Sequence, residues 1–493
     1  MYFKSTRSNE QATYTAAQVI KQGLAEDGGL FVPESIPALS MQEIVDLCKE
    51  SYPVRGAKIL SKFLTDYTYE ELLADCTAAY DEKSFVGGAA PLCNIHDQFE
   101  SLELWHGPTA AFKDMALQIM PRLLSRALVK TGEKRTALIL VATSGDTGKA
   151  ALEGYKDIDG IKIMVFYPVD GVSRVQKLQM STQTGSNVNV CAIRGNFDDA
   201  QTGVKEIFAD AEMAKILNDK GYFFSSANSI NWGRLAPQIV YYVSAYCDLL
   251  NSNKCKLGDE FNVCVPTGNF GNIFAAYIAK LMGLPIAKLL CASNTNNILT
   301  DFLTTGTYDR NRNFYLTMSP SMDILISSNL ERLLYFVTGS EKTTEYMNAL
   351  KKDGVYTVEA DVLAKIRENF IGYYADEKET AKTIKETFDQ YGYLADTHTA
   401  VAICAANQYT AQTGDTRPMI IDSTASPYKF ASDVFTALTG DKAQDELSAL
   451  DELSAKSNTE IPYPLAGLAS RKVNFTKTVD KDEMAKAVLE YLG

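Results

Sequence analysis

Residues 136–157 read "TALILVATSGDTGKAALEGYKD". A near-continuous apolar run comes first, then a turn of small polar residues, then an amphipathic run with helical spacing. A strand that alternates apolar and polar residues belongs to a sheet with one wet face. A continuous run belongs to a strand covered on both faces, as in a parallel sheet flanked by helices. The pattern repeats outward from this stretch. "IKIMVFYP" at 161–168 and "NVNVCAI" at 187–193 read as further strands, and "DDAQTGVKEIFADAEMAKILND" at 198–219 reads as one helix. "EFNVCVP" leads through "TGNFGN" into "IFAAYIAKLMG", and "PMIIDSTAS" runs into "PYKFASDVFTALTG". Strand, short turn and helix in succession predict βαβ units and parallel sheets.

The flanks differ. Residues 1–95 read as mostly helical, with "AAQVIKQGLAED", a "GGLFVP" turn and "MQEIVDLCKESYPV". Residues about 310–395 are again helix-rich, with "SSNLERLLYFV" and "LAKIRENFIGYYAD", and read as an insertion. The expected organisation is an α/β chain in three parts. A mostly helical N-terminal domain covers 1–95, a large domain covers 96–130 and 240–493, and a small mobile α/β domain covers 131–239.

The chain has 493 residues, 46% hydrophobic and 22% charged, with 48 basic and 61 acidic side chains and a net charge of −13. That balance speaks against a broad nucleic-acid surface, which needs clustered Lys and Arg. It leaves room for a local positive pocket. No run of about 18 apolar residues suggests a membrane span, and "MYFKSTRSNE" has no apolar signal core. The nine cysteines form no CxxC pair and are odd in number, which predicts reduced thiols in a cytoplasmic protein. His96, His106 and His398 show no HExxH-like spacing, so no metal site is expected.

Three strand-to-helix turns share Gly, Ser, Thr, Asn and Asp. Such turns lie at the carboxyl ends of parallel strands, where helix N-termini attract anions. In "PTGNFGN", Gly268 and Gly271 let the backbone approach a ligand, and Asn269 and Asn272 add donors. The turn is neither a Walker loop nor GxGxxG. In "ATSGDTG", Thr143, Ser144 and Thr147 offer hydroxyls and Asp146 is exposed, unless Asp146 or Thr147 is simply the N-cap. "STASPYKF" puts Thr424 just after a strand. "SANSINWGRLAPQ" gathers Asn228, Ser229 and Arg234 ahead of a helix, a fork for a phosphate or an ordinary surface pair. "HGPTAAFKDMALQ" places Lys113 between Phe112 and Asp114 at the start of an apolar helical run. Lys113 either snorkels to solvent or is a desolvated amine that holds a carbonyl cofactor.

Taken together these blocks resemble the threonine synthases, a family of fold-type-II pyridoxal phosphate enzymes, and most of all their longer branch in fungi and many bacteria. "STRS…GLAEDGGLFVPESIP", "HGPTAAFKD", "ATSGDTG", "PTGNFGN", "SPSMDILISSNLERLL", "DTHTAV" and "STASPYKF" carry the resemblance in order along nearly the whole chain. It implies a lyase of amino-acid biosynthesis that converts O-phospho-L-homoserine and water to L-threonine and phosphate, by γ-elimination of phosphate and β-addition of water. It implies pyridoxal 5'-phosphate held by Lys113 as a Schiff base, with Phe112 in the apolar wall. Gly268, Asn269, Phe270, Gly271 and Asn272 would cradle the cofactor phosphate, Thr424 would bond the ring nitrogen, and Asp146 would lie near the 3'-oxygen. Ser144 and Thr147 would flank the substrate carboxylate, and Asn228, Ser229 and Arg234 would bind its phosphate. Asp146 departs from the Asn of the shorter branch, so its contact depends on which group holds the proton. His106 is either a ligand to cofactor or substrate phosphate or a structural residue. A monomer and a homodimer are both compatible with the acidic surface. A phospho-lyase releasing a keto acid, a serine or threonine dehydratase, and a non-catalytic phospho-metabolite binder are the alternatives.

Overall fold

The computed structural model describes residues 1–143 and 145–493. The expected α/β architecture is present as two main sheets. The larger has six strands in the order Phe370–Tyr374, Ile286–Ser293, Phe261–Pro266, Met419–Ser423, Phe99–Glu103 and Leu92–His96. Its pairings are parallel except at the Leu92–His96 edge. The smaller sheet has five parallel strands in the order Thr478–Asp480, Val188–Arg194, Ile161–Pro168, Thr136–Ala142 and Tyr222–Ser225. The central strands are buried almost throughout, which is why their sequences do not alternate.

Four helices fill much of the N-terminal region, Ala16–Gln22, Met41–Leu47, Tyr52–Phe63 and Tyr69–Ala79. Three of them start with a capping box, Thr15 with Gln18, Ser40 with Glu43 and Thr68 with Glu71. The helix Trp232–Asn251 is buried on nearly all sides and packs against N-terminal helices and the helix Gly271–Met282. An apolar helix without a polar face belongs in such an interior position.

Four local expectations change. "GGLFVP" is not only a turn: Phe31–Pro33 is a buried strand antiparallel to Phe3–Ser5. The long helix at 198–219 is two helices, Phe197–Ala209 and Ala211–Asp219. Asp210 divides them, in extended geometry, with its carboxylate accepting from the amides of Glu212 and Met213. An Asp whose side chain bonds the amides ahead of it restarts a helix rather than continuing one. The helix-rich stretch at 310–395, read as an insertion within the larger body, also gives that body a strand, because Phe370–Tyr374 is an edge of the larger sheet. Finally, the chain end does not stay with the larger body. Thr478–Asp480 pairs with Val188–Arg194, and Met484, Val488 and Leu492 share an apolar cluster with Ile193 and Val204.

One buried carboxyl in the larger sheet has a pH consequence. Asp422 is fully enclosed, and its Oδ2 lies 2.6 Å from the Tyr242 hydroxyl, which also lies 3.0 Å from the Asn272 carbonyl. Tyr242 has one proton for two acceptors. A protonated Asp422 donating to Tyr242 satisfies both contacts. Burial pushes its carboxyl up from 3.8 to about 7, against the pull of the Tyr242 bond. A carboxyl raised on folding stabilises fully below its unfolded value and loses that contribution as pH rises through the folded one. We therefore expect Asp422→Asn to gain on the natural protein between pH 4 and 7, by on the order of 4 kcal/mol at most. Urea midpoints across that window test this; a difference independent of pH contradicts it.

Candidate active site

The lysine motif and the turns meet at the carboxyl ends of the parallel strands. After Phe99–Glu103 the chain runs beside the segment that follows Met419–Ser423. Leu104 N–H donates to the Ser423 carbonyl at 2.9 Å, Phe112 N–H to the Thr424 carbonyl at 2.8 Å, and Ser426 N–H to the Ala110 carbonyl at 3.1 Å. Lys113 and Thr424 are thereby held side by side. Thr424 is 5% exposed, its carbonyl is bonded to Phe112 N–H, and among the described residues its hydroxyl meets no protein partner.

Lys113 precedes a one-turn helix, Asp114–Leu117. Its side chain is 10% exposed and its Nζ lies 4.9 Å from the centre of the Phe112 ring. The amine donates to Ser321 Oγ at 3.2 Å and lies 3.8 Å from Asp146 Oδ2. Burial pulls its titration down to about 8. Asp146 pulls it up, and Arg234 and Lys429 push it further down. Asp114 opens that helix without facing solvent. It is fully buried and accepts from Thr109 N–H and Thr109 Oγ1, each at 2.8 Å.

Asp146 was expected to be exposed, but it is buried at 7% exposure. It is not the cap of its helix, Asp146–Tyr155, and nor is Thr147. Thr143 Oγ1 accepts from Gly145 N–H at 3.0 Å and Gly148 N–H at 2.9 Å and does the capping. Asp146 is left to pair with cations. Burial alone would raise its carboxyl, but Lys429 and Lys113 hold it well below the usual carboxylate range. Gly145 is required at that turn, with φ 144° and Gln176 side-chain atoms 2.3 Å from where a Cβ would sit. Thr147 is half-buried on the first turn, and Ser144 lies outside the described residues.

The turn before the helix Gly271–Met282 presents amides rather than side chains. Its carbonyls are tied on one side, Gly268 O to Ser327 Oγ at 2.6 Å and Asn269 O to Asn329 N–H and Nδ2 at 3.0 Å. Among the described residues, the N–H groups of Asn269, Phe270, Gly271 and Asn272 meet no protein acceptor. Phe270 adopts the left-handed region at φ 64° with its ring buried. Such backbone is held by its surroundings and is common at ligand sites. The expected side-chain donors differ: Asn269 is exposed, and Asn272 Nδ2 is taken by the Pro266 carbonyl at 3.1 Å.

Arg234 lies in the first turn of Trp232–Asn251 and is 7% exposed. It donates to the Ala227 carbonyl at 2.9 Å and, among the described residues, pairs with no carboxylate. Burial pulls it down to about 10, with Tyr155 pulling the other way. A buried guanidinium without an anion is costly, and an anionic ligand supplies what is missing. Asn228 and Ser229 sit on the preceding loop, where Asn228 Oδ1 accepts from Ser229 Oγ and Ile230 N–H, both at 3.3 Å.

The N terminus of threonine synthase matches residues 2–80, the pyridoxal-phosphate dependent enzymes match 102–421, and the C-terminal part of threonine synthase matches 399–488. Threonine synthase from Pseudomonas aeruginosa is 38% identical over 89% of this chain and 91% of its own length. The chain belongs to the threonine synthase family. The crystal structure of PLP-bound threonine synthase from Brucella melitensis superposes with a TM-score of 0.88 at 36% identity, over 100% of this chain and 98% of that one. Threonine synthase-like 1 from Homo sapiens is 40% identical over 86% of this chain, which spans 58% of the length of that longer relative.

His106 is structural in this member of the family. Its Nε2 meets Glu103 Oε2 at 2.7 Å and its Nδ1 meets the Val86 carbonyl at 2.8 Å, so both nitrogens are engaged by protein. Sequence reasoning passed over three side chains that line the site. Ser321 sits between Lys113 and Asp146. His398 Nε2 accepts from Ser321 N–H at 3.1 Å while its Nδ1 faces Asp396 at 2.9 Å. Lys429 is buried against Asp146 at 2.8 Å. All three lie in quoted blocks, but nothing local distinguishes them from surface polar residues.

Proposed function

We propose that this chain is a threonine synthase, converting O-phospho-L-homoserine and water to L-threonine and phosphate with pyridoxal 5'-phosphate. The observation that carries this is the pairing of a desolvated amine, Lys113, whose titration burial brings down to about 8, with a buried arginine, Arg234, that meets no protein anion among the described residues. One suits a carbonyl cofactor and the other a phosphorylated substrate.

The residues fit the cofactor. Four unbonded amides at Asn269–Asn272 suit a phosphate at a helix N-terminus. The Thr424 hydroxyl suits a ring nitrogen left neutral, and Lys113 stands between Phe112 and Asp146. When bound, the cofactor supplies an electron sink for carbanions beside the substrate amine. The chain supplies the rest. Lys113, which would hold the cofactor as a Schiff base, would take one proton from substrate Cα and one from Cβ as the γ-phosphate leaves, and would return one at Cγ and one at Cα, the spare proton of the added water going to the released phosphate. Arg234, with Asn228 and Ser229, holds the γ-phosphate and keeps it as it leaves. Thr147 would flank the substrate carboxylate, a role the family resemblance also gives to Ser144. Water adds its oxygen to Cβ, so the carbon chain is conserved in threonine.

The small body, 131–239 with the strand at 478–480, closes over the bound substrate in this reading and excludes stray water. A cytoplasmic monomer or homodimer acting on a small molecule completes it. The free cysteines and the net charge of −13 support that placement and disfavour nucleic acid.

Product identity tests the reading. Purified protein with pyridoxal phosphate and O-phospho-L-homoserine is expected to release threonine and phosphate in equal amounts. Phosphate with 2-oxobutyrate would make the chain a phospho-lyase instead. A second expectation concerns the cofactor turn. A Cβ on Gly268 would lie 2.5 Å from the Ser321 carbonyl, where nothing flexible gives way. Gly268→Ala should weaken cofactor binding by roughly tenfold or more, since even 1.4 kcal/mol of displacement gives that factor. Absorbance titration with pyridoxal phosphate reads it, and an unchanged affinity would take the turn out of the cofactor site.

A further inference from the structure

Lys429 lies on the short 3-10 helix Pro427–Phe430, and its side chain is completely enclosed. Its ammonium has three hydrogens and meets three acceptors: Asp146 Oδ1 at 2.8 Å, the Thr109 carbonyl at 3.1 Å and Gln179 Oε1 at 3.3 Å. Gln176 Nε2 donates to the same Asp146 oxygen at 2.9 Å. The other oxygen, Oδ2, faces Ser321 Oγ at 3.4 Å and Lys113 Nζ at 3.8 Å. One buried carboxylate thus stands between two lysines and is hydrogen-bonded to only one of them. Lys113 makes its hydrogen bond to Ser321 instead.

We propose that Lys429 is a positioning residue of this site, whose ammonium fixes Asp146 as an oriented acceptor and withholds that carboxylate from Lys113. The inference rests on the reading of Lys113 as the working amine. The charged groups facing Lys113 are Asp146, Arg234, Lys429 and Asp114, and those facing Lys429 are Asp146, Lys113 and Asp114. Two lysines therefore flank one carboxylate held ionised, Arg234 adds a third positive charge facing Lys113, and burial pushes Asp114 up to about 7. Such a surplus of positive charge keeps a neighbouring amine from holding its proton. It also makes a receptive surface for an anionic substrate within an acidic chain. Without Lys429, Asp146 has Lys113 as its nearest cation and stabilises the ammonium there. An amine that must accept a proton is then blocked at neutral pH.

The test is competitive acetylation of the full-length, cofactor-free protein with acetic anhydride across pH, with Lys113 followed by mass spectrometry against a reference amine. Lys429→Met is expected to raise the midpoint of Lys113 by about 1–2 pH units, so that its reactivity at pH 8 falls by roughly tenfold. Lys429→Arg, which keeps the charge, should restore the natural midpoint. An unmoved midpoint in a folded Lys429→Met protein overturns the proposal. Should that variant not fold, Lys429→Gln, which keeps a polar group but not the charge, decides. A raised Lys113 midpoint is expected there, and an unchanged or lowered midpoint overturns the proposal. Acetylation reads titration and not turnover. A failure here leaves the product assay standing, and a failed product assay leaves the charge arrangement standing.

Discussion

Lys113→Ala is expected to lower turnover of O-phospho-L-homoserine by at least about a thousandfold, the range in which a positioned proton-transfer group contributes. The protein should remain folded. Among the described residues the side chain makes one hydrogen bond, to Ser321 at 3.2 Å, and one ion pair, to Asp146 at 3.8 Å. Its removal also relieves repulsion with Lys429 and Arg234, which both disfavour its charge. Stability should therefore change by no more than about 1 kcal/mol. Turnover assays and thermal unfolding followed by circular dichroism separate the two effects. A folded variant that still makes threonine at a substantial rate would remove Lys113 from the chemistry.

Arg234→Ala is the second large effect. Truncating one partner of a buried charge pair costs about 2–5 kcal/mol, and on the proposed function the partner is the substrate phosphate. We expect kcat/KM to fall by roughly a hundredfold to a thousandfold, chiefly through KM. Inorganic phosphate should become a weaker competitive inhibitor in step. Arg234→Lys should recover only part of the loss, because a point charge does not reproduce a planar fork. An unchanged KM in Arg234→Ala would take the residue out of the phosphate site. The free protein should not suffer, because among the described residues the Arg234 side chain donates to the Ala227 carbonyl alone, and its burial without an anion is unfavourable.

Much of the fold was legible because its signals are local. Continuous apolar strands such as "TALILVA" and "IKIMVFYP" can only belong to a covered sheet, and the Gly, Ser and Thr turns after them open helices. The Asp210 break was hidden because an Asp within an otherwise helical pattern has no distinct period. The return of the chain end to the smaller sheet was hidden because pairing between residues 478–480 and 192–194 leaves no mark in either segment.

The site divides along the same line. The sequence by itself determined the parts: a lysine beside a phenylalanine, a glycine-containing turn before a helix, and an arginine after a loop of Asn and Ser, in an order that resembles one family. Those features are short-range and survive without knowledge of contacts. Only the tertiary structure decided how the parts share charge. It buried Asp146, gave the helix cap to Thr143, engaged both nitrogens of His106, turned Asn272 back onto Pro266, set Ser321 against Lys113 and placed Lys429 across Asp146 from it. The physical reason is desolvation. A charge acquires its chemical character from the groups that replace water around it, and here those groups come from segments up to several hundred residues away.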